Sequence, residues 1–251
     1  MVDLSGVILT HNEEGNIEDC IASLRWADEV VVFDSFSTDR TVELAQAAGA
    51  RVIQHPFEHY GAQREAALRA VDTEWVFFVD ADERATPDLA AEVWGKLACR
   101  ERGWWVPRDN YIFGRLTRGA GWYPDYQLRL LHRTSARYDL NRPVHELVLL
   151  DGEAGYLKNA LIHYNYRSVA QFVEKQERYT NLEALRRARE GMYPKPWTLL
   201  TMPARHFWLR FVSLRGYTDG LHGLRLSLLM AYYEFETWRR VARLQRAQGR
   251  A

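Results

Sequence analysis

The chain predicts an α/β fold: a Rossmann-like, mostly parallel central sheet, a mixed-sheet extension, and a group of C-terminal helices. Three observations carry this. Short β-type runs alternate with helical patterns through the first part of the chain. Residues 104–164 turn aromatic, glycine-containing and rich in arginine, with short strands. Helix-length patterns fill the remainder.

In order, GVILT, EVVVFD, RVIQH and EWVFFVD read as strands, because β-branched and aromatic residues cluster in runs too short for helices. Between them, NIEDCIASLRW and TVELAQAAGA repeat apolar positions at helical spacing, with Ile17, Ile21, Leu24, Val42 and Leu44 expected toward the sheet. HYGAQREAALRAV predicts a third helix. Thr86 and Pro87 offer an N-cap and a first-turn proline for a fourth over DLAAEVWGKLA. Strand–helix alternation of this kind implies a parallel sheet covered on both faces. Ligands of such sheets bind beyond the carboxyl ends of the strands. That sets His11, Asn12 and Glu13, then Asp34 and Ser35, then Asp80 and Asp82 along one rim. Later, YQLRLL reads as a strand and RSVAQFVEKQERYTNLEALRRARE as a long helix broken by MYPKP. WTLLTMPARHFWLRFVSL and GLRLSLLMAYYEFETWRRVARL read as two more helices, parted by GYTDGLHG.

The 251 residues, 47% hydrophobic and 26% charged, describe a globular chain and not a disordered one. Its 33 basic and 33 acidic residues cancel, but unevenly. Acids outnumber bases up to about residue 100. From Arg205 onward the arginines face only Asp219, Glu234 and Glu236. A basic, aromatic tail suits an anionic surface or, equally, a solvated helical face. No nucleic-acid partner is expected. Cys20 and Cys99 lack metal-type spacing and read as free thiols in a reducing compartment. MVDLSGVILT lacks the basic flank and apolar length of a signal peptide. No charge-free run reaches the ~18–20 residues of a membrane span.

WVFFVDADER carries the chemistry. Residues i and i+2 of an emerging strand point the same way, so Asp80 and Asp82 would repel unless a divalent cation held both ionised. Mg²⁺ or Mn²⁺ suits hard oxygen ligands shared with phosphate. The plainer alternative is a solvated acidic strand end. Aspartyl-phosphate phosphatases also place D-x-D after an apolar strand, but usually the first, with Thr or Val shortly after. Here it ends about the fourth and Glu83-Arg84 follows.

VILTHNEE, VVVFDSFSTDRT, GAQREAAL and FFVDADE, in this order and spacing, resemble the family-two glycosyltransferases of the glycosyltransferase A fold. YPDYQLRLL, PVHE, LIHYNYRS and GYTDGLHGL are similar to a narrower group, the bacterial lipopolysaccharide core β-glucosyltransferases and related cell-envelope transferases. The resemblance implies a nucleoside pocket lined by Thr10, Asn12 and Glu13, with Asp34 meeting base or ribose and Asp39 supporting its loop. Gln63 and Arg64 would reach the nucleotide, Arg64 near the diphosphate. Asp80 would touch ribose or metal, and Asp82 would bind the metal directly. The chain departs from the family at His11, Ser35 and Phe36, where Tyr, a second Asp and Gly are common. Residues 1–100 would form the nucleotide-sugar-binding half and 101–167 the acceptor-side half of one catalytic domain. Residues 168–251 would form a helical extension.

The acceptor side needs a base. Asp125 matches the family's acidic motif, with Arg129 near; Glu146 is the alternative, and Asp125 could instead cap the turn after Pro124. A single base opposite the leaving group implies inversion, an α-linked donor giving a β-linked product. His145 and Trp122 would contact acceptor, and His163 would approach the metal or diphosphate. The expected reaction moves a hexose, glucose on a UDP-linked donor, to a lipopolysaccharide-core or other cell-envelope glycan. The alternatives are a polyprenyl-phosphate acceptor, or a nucleotide-sugar- or carbohydrate-binding scaffold of the same fold without turnover. The expected place is the cytoplasm, on the inner membrane face, the tail helices meeting membrane or another subunit in a homo-oligomer.

Overall fold

The computed structural model describes residues 2–140 and 147–247. The chain forms two compact units, Met1–Arg108 with Asp125–His163, and Asp109–Pro124 with Tyr164–Ala251. The second unit thus takes residues 109–124 from the stretch expected to belong wholly to the acceptor-side half, and the helices are not a simple appendage starting at 168.

The strands are β1 (Leu4–Thr10), β2 (Glu29–Asp34), β3 (Arg51–Gln54), β4 (Trp75–Asp80), β5 (Glu83–Arg84), β6 (Gly103–Ile112), β7 (Arg115–Leu116), β8 (Tyr126–His132), β9 (Ala136–Tyr138), β10 (Val148–Leu150), β11 (Ala154–Tyr156) and β12 (Leu161–Tyr166). The main sheet runs β3-β2-β1-β4-β8-β6-β12-β5. Its β3-β2-β1-β4 half is parallel, and β4 to β8 and β8 to β6 are antiparallel. This is the parallel half with mixed extension that the sequence predicts. Register brings Thr10 opposite Asp34, and Leu9 opposite Asp80, so the polar ends of β1, β2 and β4 share one rim.

Alternation fills both faces. β1 sends Leu4 and Ile8 to one side and Val7 to the other, while β4 sends Trp75, Phe77 and Val79 opposite Val76 and Phe78. Helices α1 (Ile17–Ser23) and α4 (Pro87–Lys96) cover the first face through Ile17, Ile21, Leu89 and Val93. Helix α3 (Tyr60–Arg69) covers the second through Ala67 and Leu68. In α2 (Thr41–Ala47) Thr41 and Ala45 are fully buried, Leu44 packs half-buried against the core as expected, and Val42 is half-buried. Thr86 caps α4 as predicted, its hydroxyl accepting from the Leu89 N–H at 3.2 Å.

In the second unit, α5 (Val169–Arg189) and α7 (Leu221–Ala247) bring Phe172, Leu226 and Tyr233 against Ile112 and Tyr166, and α6 (Thr198–Trp208) with a π-helical turn over Leu209–Ser213 lies between them in the chain. A second cluster of Ala184, Trp238 and Val241 is bordered by Leu199 and Met202. GYTDGLHG is needed for a close approach. A Cβ on Gly223 would lie 1.8 Å from the Gly216 carbonyl oxygen.

Thr86→Ala is expected to cost about 1 kcal/mol in urea unfolding, the usual worth of an N-cap. Cys20 is buried, burial pushing its thiol well above the ordinary range, and Cys99 is half-buried. In native protein a thiol reagent should therefore modify Cys99 and spare Cys20 until denaturant is added.

Candidate active site

The loops leaving β1 and β2 are cross-tied. The Asn12 N–H donates to Ser37 Oγ (2.9 Å), and Asn12 Oδ1 accepts from the Thr38 N–H (2.8 Å). The Glu13 N–H donates to Thr41 Oγ1, and Asp39 accepts from the Glu14 and Thr41 N–H groups, so Asp39 supports its loop as expected. Glu13 itself accepts from the Asn16 amide (2.6 Å). Asn12 and Phe36 both adopt left-handed backbone, at φ 56° and 55°. Asn tolerates this conformation, whereas an exposed Phe is strained there.

Asp34 is fully buried, and its carboxylate accepts from Thr10 Oγ1, Ser37 N–H, Ser37 Oγ and Gln54 Nε2. With bonds on both oxygens, Asp34 ties the end of β1 to the loop that carries Ser37. Gln63 is also buried, donating to Ser35 Oγ (3.0 Å) while its Oε1 lies 3.1 Å from His55 Nδ1. Ser35, in the family's acidic position, thereby takes a neutral partner.

At the end of β4 the charges alternate. Arg64 donates to Asp80 Oδ1 (2.8 Å), and Arg129 grips both Asp80 oxygens. Arg129 also lies 3.6 Å from Glu83, Glu83 pairs with Arg108 (3.2 Å), and Arg108 binds Asp125 (2.6 Å). Six side chains from α3, β4, β5, β6, β8 and the approach to β8 thus form a neutral chain of three acids and three bases. Burial pushes the Asp80 carboxyl up. The Arg129 and Arg64 guanidiniums outweigh that and hold it well below the usual carboxylate range. Glu83 is completely buried and also accepts from the Asp80 N–H (2.9 Å).

Both Asp80 oxygens are engaged by arginine. Asp82 instead faces His163, with 3.6 Å between Oδ2 and Nε2, His163 standing opposite Glu83 in the β12–β5 pairing. Among the described residues no cluster of three or more His, Cys, Asp or Glu could cage a metal. A carboxylate and an imidazole suit a cation that takes its other ligands from a diphosphate and water, the habit of Mg²⁺ and Mn²⁺. Arg84 fixes this turn, donating to the carbonyls of Ala81 (2.8 Å), Glu83 (2.7 Å) and Asn16 (3.0 Å).

Arg64 and Arg129 also line a cavity of about 130 Å³ with Trp105, Gln127, Leu128, Tyr138, Leu147 and Val148. Asp125 is oriented on both sides, by Arg108 on Oδ2 and by Gln127 on Oδ1 (2.9 Å). Trp122 is half-buried in the second unit, edge-on to Tyr166 and under the Arg210 guanidinium. His145 and Glu146 lie outside the described residues. Two members of the charge chain escaped the sequence reading. Glu83 follows the acidic pair and looks like a solvated turn. Arg108 lies two residues beyond buried Val106, and a charge in phase with a core-facing position was its only signal.

The sequence matches the glycosyl transferase family 2 profile over residues 5–164, a stretch that contains every part of this charge chain. The chain belongs to glycosyl transferase family 2. Among relatives, this glycosyltransferase is 32% identical over 248 residues to the lipopolysaccharide core biosynthesis glycosyltransferase LpsC of Rhizobium meliloti, covering 93% of this chain and 90% of that one. It is 42% identical over 85 residues to a dolichyl-phosphate hexose transferase of Haloferax volcanii, covering 32% and 37%. Among solved structures, glucosyl-3-phosphoglycerate synthase of Mycobacterium tuberculosis bound to phosphoglyceric acid aligns with a TM-score of 0.47 at 20% identity. That alignment covers 68% of this chain and 75% of the other. Membership makes the protein an enzyme that transfers sugar from a nucleotide-linked donor and not a binding scaffold.

Removing one link of the charge chain should be costly. Arg129 is 6% exposed, and Arg129→Ala leaves Glu83 and Asp80 short of a counter-charge. The expected loss is about 3–5 kcal/mol, read as a lower urea midpoint. Arg40→Ala, which breaks an exposed pair with Glu43, should leave the urea midpoint essentially unchanged.

Proposed function

We propose that this glycosyltransferase moves glucose from a UDP-linked donor to a lipopolysaccharide-core glycan, with inversion, forming a β-glycosidic bond. The observation that carries the reading is Asp82 facing His163 beside the arginine-held Asp80, at the carboxyl end of β4. Similarity to LpsC over nearly the whole length of both chains supports the acceptor class. An acceptor of that class is lipid-borne, which favours work at the cytoplasmic face of the inner membrane.

A divalent cation held by Asp82 and His163 would supply positive charge to the departing diphosphate. The protein does the rest. Asp80 anchors Arg64 and Arg129 so that both guanidiniums border the same cavity with their positions already fixed, which suits anionic oxygens. Asn12, Glu13, Gln63 and Ser35 surround the nucleoside side of the rim. Asp125, steered by Arg108 and Gln127, takes the proton of the acceptor hydroxyl on the face opposite the leaving group. Glu146 keeps the same role as the alternative base.

The local similarity to a dolichyl-phosphate hexose transferase favours a second acceptor, a polyprenyl phosphate. A product that extracts into organic solvent and resists mild removal of the glycan core would select it.

Thermal shift with UDP-, GDP-, ADP- and CMP-sugars, with and without Mn²⁺, is expected to show the largest rise for UDP-glucose with Mn²⁺. Chelation should abolish transfer and added Mn²⁺ restore it. Asp82→Ala should lower kcat by ~10²–10³ without unfolding the protein, and Asp125→Asn by ~10²–10⁴ with donor binding kept. Equal midpoints for every nucleotide, or full activity in Asp82→Ala, would refute the reading.

A further inference from the structure

Helix α6 and the π-helical turn after it contain no buried residue, although their sequence is mostly apolar. Leu199 and Met202 rest against the Ala184–Trp238–Val241 cluster. The opposite side shows Trp197, Leu200, Thr201, Ala204, Arg205 and Trp208 to solvent, the three-and-four repeat of one continuous stripe, with Leu209 exposed just beyond it. Leu200 is 78% exposed, Trp208 63% and Trp197 59%. A surface helix ordinarily turns its polar side outward. This one presents tryptophan near both ends with leucine between.

The charge around the stripe is one-sided. From Gly191 through Thr218 the sequence has no Asp or Glu, while Lys195, Arg205, Arg210 and Arg215 are present. Arg210 is turned inward, donating to the Ala120 carbonyl. Lys195, Arg205 and Arg215 are exposed. An apolar strip with tryptophans and basic residues but no acid matches the interfacial zone of an anionic bilayer. Indole rings settle at headgroup depth there, and cations meet lipid phosphate. A second copy docked by two-fold symmetry would instead set the Arg205 stripe against its own like charges. No helix among the described residues is long and apolar enough to cross a membrane, so α6 would lie in the plane of the surface.

We propose that the outer stripe of α6, from Trp197 to Trp208, docks the protein on an anionic phospholipid bilayer. This deepens the membrane placement above but does not depend on the transfer chemistry, because it is read without donor or acceptor.

The test is flotation of the full chain with phosphatidylethanolamine–phosphatidylglycerol vesicles, against pure phosphatidylcholine vesicles. Wild type should float with the anionic vesicles and show a blue-shifted tryptophan emission. The variant carrying Trp197→Ala, Leu200→Ala and Trp208→Ala should lose about tenfold or more in partitioning, with unchanged circular dichroism. Should that variant fold poorly, Arg205→Glu alone must weaken binding to anionic vesicles by about threefold or more. Wild type that ignores anionic vesicles overturns the proposal, as does a well-folded triple variant or an Arg205→Glu variant that floats like wild type. A wild-type dimer in gel filtration that the triple variant converts to monomer overturns it in favour of a second copy. Loss of nucleotide binding in the thermal shift panel, with flotation intact, would remove the proposed function and leave this inference standing.

Discussion

The candidate site depends on one constraint: carboxylates at the end of a fully buried strand must find counter-charges inside the fold. β4 carries Trp75 through Val79 with essentially no exposure and then reaches Asp80, with Glu83 buried two residues beyond Ala81. Such groups are tolerated only when paired and hydrogen-bonded. Arg64 from α3, Arg108 from β6 and Arg129 from β8 supply the partners, so three separate elements are pinned to one strand end. The same pairs that make the acids bearable fix the geometry of the rim.

That division of labour changes how the two aspartates are understood. Asp80 is the anchor, held by two arginines, and Asp82 is the residue turned toward an imidazole. Asp34 likewise proves to be scaffold, its oxygens spent on the loops that carry Asn12 and Ser37. Acidic residues at the ends of parallel strands therefore serve two ends here. Some hold loops and arginines in place, and Asp82 faces an imidazole.

Much of the fold was legible because it follows from periodicity. Apolar runs of strand length, helices between them and the Thr86-Pro87 start each have a local cause that the residues display. The site was legible only as a rim. Which aspartate would be consumed by arginine depends on side chains some 16 and 49 positions away, Arg64 and Arg129, and pairing at that range leaves no local trace. The packing of Trp122 against Tyr166 and Arg210 left no local trace for a similar reason.

Arg84 has a mechanical implication. Its guanidinium grips carbonyls on both sides of a gap, Ala81 and Glu83 in the turn bearing Asp82, and Asn16 at the head of α1. The entry to α1 and the turn bearing Asp82 are thus joined through one guanidinium, and removing it would uncouple the two segments.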